Sequence, residues 1–259
     1  MKLSALVITL NEEANIQRCL TSLSFADEVI VVDSGSTDKT VEYAKEKGAR
    51  VFTNPWPGYG AQKNFAAEQA HGEWLLFIDA DEEISTELQT DIKAVISSTS
   101  SLDFYWLKIV TIFLNKPLRH LYGHNLRLFR KSAGHWTADH VHEQVETTSK
   151  QRIRLGDSLS AVLPTHLLHH SHTTVRSYLH SMQEYTSLDA EQIKKTGKHR
   201  SGRSVTPTWI LPWQLGFRQF LKLLIYRKGL LDGWHGFVWC VLSGYYEYVM
   251  ARKYVHLCA

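Results

Sequence analysis

The stretch "HGEWLLFIDADEEIS" (71–85) runs a strand-like apolar segment straight into Asp79, Asp81, Glu82 and Glu83. Carboxylates this crowded repel one another, and burying one without a partner is costly. In an extended chain residues i and i+2 point to the same side, so Asp79 and Asp81 are expected to aim their oxygens at one point. A hard divalent cation, Mg²⁺ or Mn²⁺, takes a few such carboxylates, keeps some water and binds phosphate oxygens. An acidic turn that holds no metal has the same composition, and the residue types alone leave both readings open. Asp33 ends a second apolar stretch in "VVDSGSTD" (31–38), where a carboxylate can accept from a base N–H or a ribose hydroxyl, or cap its own turn. The phosphate-cradling loops G-x-x-x-x-G-K-[ST] and G-x-G-x-x-G are both absent. "HLLHHSH" (166–172) has histidines without the cysteine partners or spacing of a structural zinc site. Arg127 and Arg130 are three apart in a strand-like segment and are expected to face opposite ways, Arg127 towards an acceptor or phosphate and Arg130 towards solvent.

The elements that must position these groups alternate between two periods. "SALVITL" (4–10), "EVIVVD" (28–33), "ARVFTN" (49–54) and "EWLLFID" (73–79) read as strands. Between them, 12–23 carries an i, i+3, i+4, i+7 stripe of Ile16, Cys19, Leu20 and Leu23. The segment 36–48 runs from a capping Ser to Gly48, and 60–71 completes a βαβαβαβ series. That series predicts an α/β fold: a mixed, mostly parallel sheet flanked by helices, with ligands beyond the carboxyl ends of the strands. A helix is expected near 85–97, strands at 104–114, 125–131, 140–146 and 158–170, and helices at 173–196, 208–228 and 233–253. The basic "KKTGKHRSGR" (194–203) reads as a mobile link. The domain reading is 1–172, divided near 100 into two halves, with 173–259 as a helical extension.

Composition bounds the rest. An apolar fraction of 44% in 259 residues suits a globular chain and argues against disorder. The opening "MKLSALVITLNEE" is too short an apolar run for a signal peptide, and three cysteines without metal or disulfide spacing point to a reducing cytoplasm. Residues 1–146 hold 14 Lys and Arg against 20 Asp and Glu, while 147–259 hold 15 against 6. A basic tail with Trp209, Trp213, Trp234 and Trp239 around two apolar segments predicts helices lying on an anionic membrane surface, or packing on protein. The tail lacks a nucleic-acid motif and its aromatics sit on apolar helices, so no nucleic-acid partner is expected. Oligomeric state has no signature.

Taken in order, "ITLNEEANI", "VIVVDSGSTDKT", "GYGAQKNFAAEQAHGEWLLFIDADEEIS" and "NLRLFRK" resemble a family 2 glycosyltransferase with the GT-A fold. "HVHEQVE", "LLHHSH" and "YRKGLLDGWHGFVW" make the chain similar to the bacterial lipopolysaccharide core β-1,4-glucosyltransferases. The resemblance implies a metal-dependent inverting transferase using a UDP-sugar, most simply UDP-glucose. It implies a lipid-linked saccharide acceptor such as the heptose of the lipopolysaccharide inner core, and a place on the inner face of the cytoplasmic membrane. It assigns Asn11, Glu12 and Asp33 to base and ribose, Lys63 to the nucleotide, Asp79 and Asp81 to metal and UDP-sugar, and His169 to the metal. Glu143 matches the catalytic base, with Asp139 as competitor, although His142 stands where relatives often have an acid. The alternatives are another sugar, a capsule, polyprenyl or protein-linked acceptor, or a nucleotide-sugar-binding protein without catalysis.

Overall fold

A computed structural model describes residues 1–98, 102–137 and 143–258. The chain forms two compact units, Met1–Ile109 with Gly123–His169, and Val110–Tyr122 with His170–Ala259. The helical unit thus takes in residues 110–122, which a boundary at 172 leaves out.

The first unit opens with β1 (Leu3–Thr9), α1 (Ile16–Ser22), β2 (Glu28–Asp33), α2 (Thr40–Glu46), β3 (Arg50–Thr53), α3 (Tyr59–Gln69) and β4 (Trp74–Asp79). It continues through β5 (Glu82–Ile84), α4 (Thr86–Ser97) and β6 (Phe104–Phe113). After β7 (Lys116–Pro117), which belongs to the second unit, come β8 (Gly123–Arg130), β9 (Gly134–Trp136), β10 (Val145–Thr147) and β11 (Ser160–His172). The main sheet has the order β3-β2-β1-β4-β8-β6-β11-β5, with β7 on β6, and β9 and β10 form a separate ribbon. Pairing is parallel from β3 to β4; β8 then pairs antiparallel with both β4 and β6.

All seven residues of β1 are buried, as expected of a central strand covered on both faces. Leu3, Ala5 and Val7 join Ile16, Cys19 and Leu20 of α1 and the Leu23 that follows it in one core, whereas Leu6 and Ile8 join Ala66 and Ala70 beside α3 in the other. This period-2 division fixes register, because a one-residue slip would exchange the two faces. Register also gathers the chemistry: Thr9 pairs with Asp33 and Ile8 with Asp79, so the loops after β1, β2 and β4 leave the sheet at one edge.

The second unit contains α5 (Val175–Thr196), α6 (Leu211–Leu221), a π turn (Lys222–Tyr226), a 3-10 turn (Gly229–Asp232) and α7 (Gly233–Cys258). Thr174 caps α5 by accepting from the Ser177 amide, and Gly197 ends it in the left-handed region. Helices α6 and α7 touch at two glycines: a Cβ on Gly216 would sit 2.9 Å from the Gly244 carbonyl oxygen. The segment read as a mobile link is a built hairpin. His199 N donates to Arg203 O, Val205 N donates to Gly197 O, and Lys198 bridges Ser204. Among the described residues no helix is long and apolar enough to cross a membrane.

Candidate active site

The acidic segment does not continue as an extended chain. β4 stops at Asp79, Ala80 and Asp81 form a tight turn, and Glu82 starts β5, which pairs antiparallel with β11. The expectation that Asp79 and Asp81 share one side by strand alternation is therefore corrected, since the turn sends them to different partners.

Arg127 on β8, 3% exposed, receives Asp79. Its Nη2 donates to Asp79 Oδ2 at 2.5 Å and to Glu82 Oε1 at 2.7 Å, and its Nη1 donates to Asp79 Oδ1 at 3.3 Å. The Asp79 amide donates to the other Glu82 oxygen at 2.8 Å. Burial pushes the Asp79 carboxyl up, but the Arg127 and Lys63 charges outweigh it and hold it well below the usual carboxylate range. Burial likewise pushes Glu82 up, to about 7; the Arg127 charge opposes the rise without overcoming it, and the adjoining Asp79 carboxylate adds to it. Burial also works against the Arg127 guanidinium, which Asp79 and Glu82 nevertheless hold above its ordinary value. Among the described residues, the buried Arg127 Nε has no hydrogen-bond partner. Arg130, three residues on, leaves by the other face to pair with Glu73 and Asp103 and to lie over the Trp74 ring at 4.4 Å.

Asp81 meets His169 instead. β11 puts His169 opposite Glu82 in register, and its Nε2 lies 3.0 Å from Asp81 Oδ2. Burial opposes the imidazolium, but Asp81, then Glu82 and Asp79, push His169 up to about 9. At neutral pH it is a cation donating to Asp81.

A third pair closes the group. Lys63 Nζ on α3 lies 2.5 Å from Glu143 Oε1 and 4.4 Å from the centre of the Trp136 ring. Asn64 supports that ring by donating to the Trp136 carbonyl and accepting from its amide. Gly60 makes the approach of α3 sterically feasible, because a Cβ there would lie 1.8 Å from the Thr137 carbonyl oxygen. Asp139 and His142 lie outside the described residues.

At the same edge of the sheet, Asp33 turns inward on its own loop. Its Oδ2 accepts from the Gly35 and Ser36 amides, both at 2.9 Å, and its Oδ1 from Ser36 Oγ at 2.5 Å. These bonds cap its own turn. Asn11, at φ 55°, accepts from the Thr37 amide and ties the β1 loop to the β2 loop. The Glu12 amide donates to Thr40 Oγ1; its half-buried carboxyl accepts from Asn15 and is pushed up, chiefly by burial and then by Asp81 and Asp38. Gln62, fully buried, donates to Ser34 Oγ and to the Asn54 carbonyl.

Residues 4–152 match the family model described as Glycosyl transferase family 2. The chain belongs to that family. An uncharacterised glycosyltransferase of Rickettsia typhi is 32% identical over 97% of this chain and 86% of its own length. The lipopolysaccharide core biosynthesis glycosyltransferase LpsC of Rhizobium meliloti is 28% identical over 100% of this chain and 91% of its own. Among solved structures, glucosyl-3-phosphoglycerate synthase from Mycobacterium tuberculosis, in complex with Mn²⁺, UDP and glucosyl-3-phosphoglycerate, is 26% identical, with a TM-score of 0.34. That match covers 43% of this chain and 44% of the synthase chain. The nine-stranded mixed sheet of this family 2 transferase is its GT-A fold.

The site of this family 2 chain therefore has four carboxyl groups and three cations, arranged as Asp79–Arg127–Glu82, Asp81–His169 and Lys63–Glu143. The acidic knot is held largely by Arg127 and His169, 45 and 88 residues away in sequence from Glu82 and Asp81. Among the described residues no three His, Cys, Asp or Glu side chains form a group that could hold a metal ion. Asp79, Asp81 and His169 are thus not assembled as a ready three-ligand set, because Arg127 occupies both Asp79 oxygens. Asp81 and His169 do suit a divalent cation whose other positions are filled by diphosphate and water, once the imidazole proton is lost. Three participants went unnoticed as candidates: Glu82, Gln62 and Asn64. For Gln62 and Asn64 a signal existed, since "AQKNFAAEQ" is helical yet lacks an apolar stripe, so its polar residues had to face something.

Proposed function

We propose that this transferase moves a hexose, glucose from UDP-glucose, with inversion, onto a lipid-linked saccharide such as the heptose of a lipopolysaccharide inner core. The supporting observation is the end-to-end similarity to LpsC, which spans both units of the chain. Asp81 and His169 would hold Mg²⁺ or Mn²⁺, which when bound supplies positive charge to the departing diphosphate. Arg127 keeps Asp79 ionised and oriented at the end of β4, where Asp79 can accept from sugar hydroxyls. Glu143 takes the proton of the acceptor hydroxyl as that oxygen attacks the anomeric carbon from the face opposite the diphosphate. Its bond to Lys63 must open for this, and the freed ammonium is then a counter-charge for the nucleotide. Asn11, Glu12 and Asp33 frame the base and ribose through the loops they tie together. The exposed Trp213, Phe217 and Trp234, with Arg218 and Lys222 beside them, suit attachment to the inner face of the cytoplasmic membrane.

The test is release of nucleoside diphosphate from a panel of UDP-, GDP- and dTDP-sugars with Mg²⁺ or Mn²⁺, with and without a lipopolysaccharide-core extract. The expected result is metal-dependent release from UDP-glucose, raised by the extract. Asp81→Ala is expected to abolish the metal dependence, and Glu143→Gln to lower kcat about 10²–10⁴-fold. A chain that turns over no donor in any mixture would instead be a nucleotide-sugar-binding protein.

A further inference from the structure

The helical unit holds a second charged group with the opposite balance. Glu247 on α7 is 2% exposed, and its carboxylate is met twice by the hairpin after α5: His199 Nε2 lies 3.0 Å from Oε2, and Arg200 Nη2 donates to Oε1. Burial pushes that carboxyl up, but the His199 hydrogen bond and the Arg200 charge outweigh it and keep it ionised. Arg200 also stacks on the Tyr246 ring at 5.0 Å, and Tyr246 donates to Asp189 at 2.8 Å. The anchored hairpin forms one wall of a cavity of about 700 Å³, and α6 forms another.

Into this cavity come Arg203 from the hairpin and Arg218 and Lys222 from the α6 side, with the hydroxyl residues Ser204, Thr206 and Thr208. All three cations are exposed, and their side chains make no hydrogen bond or ion pair among the described residues. The one acid in the lining is Glu247, already compensated by His199 and Arg200. Cations converging on a concave surface with no opposing carboxylate repel each other unless an anion joins them. Guanidinium groups match phosphate oxygens with paired N–H donors, and hydroxyls complete such a shell.

We propose that this cavity is a phosphate-binding site, built by Arg203 on a hairpin that Glu247 holds in place and by Arg218 and Lys222 from the α6 side. Its ligand is a phosphate monoester or diester, from either a soluble phosphorylated saccharide or a phospholipid headgroup. The site does not depend on the transferase reading, because none of its residues belongs to the Asp79–Arg127 group.

The experiment uses the full chain. Inorganic phosphate and a hexose phosphate are titrated calorimetrically into wild type, Asp81→Ala, Arg218→Gln and the triple variant Arg203→Ala/Arg218→Ala/Lys222→Ala, with circular dichroism checking that each folds. Flotation with phosphatidylglycerol and with phosphatidylcholine vesicles forms the second arm. Wild type and Asp81→Ala are expected to bind phosphate alike, with Arg218→Gln weaker and the triple variant at least about tenfold weaker. Binding to the soluble phosphates without vesicle binding identifies a soluble source. Binding to phosphatidylglycerol but not to phosphatidylcholine vesicles, lost in the triple variant and without binding of the soluble phosphates, identifies the headgroup. The proposal is overturned if wild type binds neither, or if the folded triple variant binds either as wild type does. Because Asp81→Ala separates the two sites, loss of sugar transfer and loss of phosphate binding are read independently.

Discussion

Two buried acids, Glu82 in the sheet unit and Glu247 in the helical unit, solve the same problem with opposite remainders. Both are 2% exposed and both rely on an arginine. Around Glu82, Arg127 must also serve Asp79, and with Asp81 and Glu143 nearby the carboxyls outnumber the cations. Around Glu247, His199 and Arg200 share the task, Arg200 also lying 3.9 Å from Asp189, and Arg203, Arg218 and Lys222 are left over. A buried acid is therefore a poor guide to function by itself. The sign of the charge left uncompensated at the neighbouring surface is the better guide: a deficit of positive charge invites a cation, and a surplus invites an anion.

The largest effect expected from this contrast comes from removing the shared arginine. Arg127→Met leaves Asp79 and Glu82 facing each other without the cation they share, which is expected to cost about 3–5 kcal/mol in urea unfolding. Adding Glu82→Met should recover part of that loss, because apolar replacement of a buried pair is often close to neutral. Glu247→Gln is expected to cost less, about 1–3 kcal/mol, since Arg200 is partly exposed and water can take over its donors. Equal losses in Arg127→Met and Glu247→Gln would break the comparison, because they would mean that the shared arginine carries no additional demand.

The same contrast explains what the sequence disclosed. The strands and helices of the first hundred residues were legible because hydrophobic period decides them, and the i, i+3, i+4, i+7 stripe of α1 is the stripe that packs on β1. The carboxyl edge of the sheet followed from the βαβ order. β5 was not legible: three residues, two of them acidic, carry no period, and the strand exists because β11 pairs with it. Its presence turns Asp81 away from Asp79 and towards His169, a partner 88 residues distant. Pairings of this kind are set by sheet register and not by spacing, so the sequence could not show which of these residues the fold pairs. In the helical unit the basic run at 194–203 looked like a loose link because its anchor, Glu247, lies on a helix some 50 residues later.

A third buried acid supplies the balanced case and the smallest expected effect. Glu28, at the start of β2, accepts from Ser4 Oγ, from the His71 amide and from Arg50, with the His71 ring at 3.2 Å. Burial pushes its carboxyl up, yet the hydrogen bonds from Ser4, His71 and Arg50 together bring it down to about 2, from 4.5. A carboxyl depressed in the folded state contributes stability that is fully present above 4.5 and is lost as pH falls through about 2. The stability difference between wild type and Glu28→Gln should therefore be constant near neutral pH and shrink between pH 4.5 and 2. Arg50 and His71 are both solvent-exposed, so screening keeps the charged part of that difference to about 1 kcal/mol or less. Unfolding curves of the two proteins at a series of pH values, at low and high salt, measure it. A difference that persists unchanged at pH 2 would mean that Glu28 acts through shape and neutral hydrogen bonds alone, and that charge balance is not what separates the three buried acids.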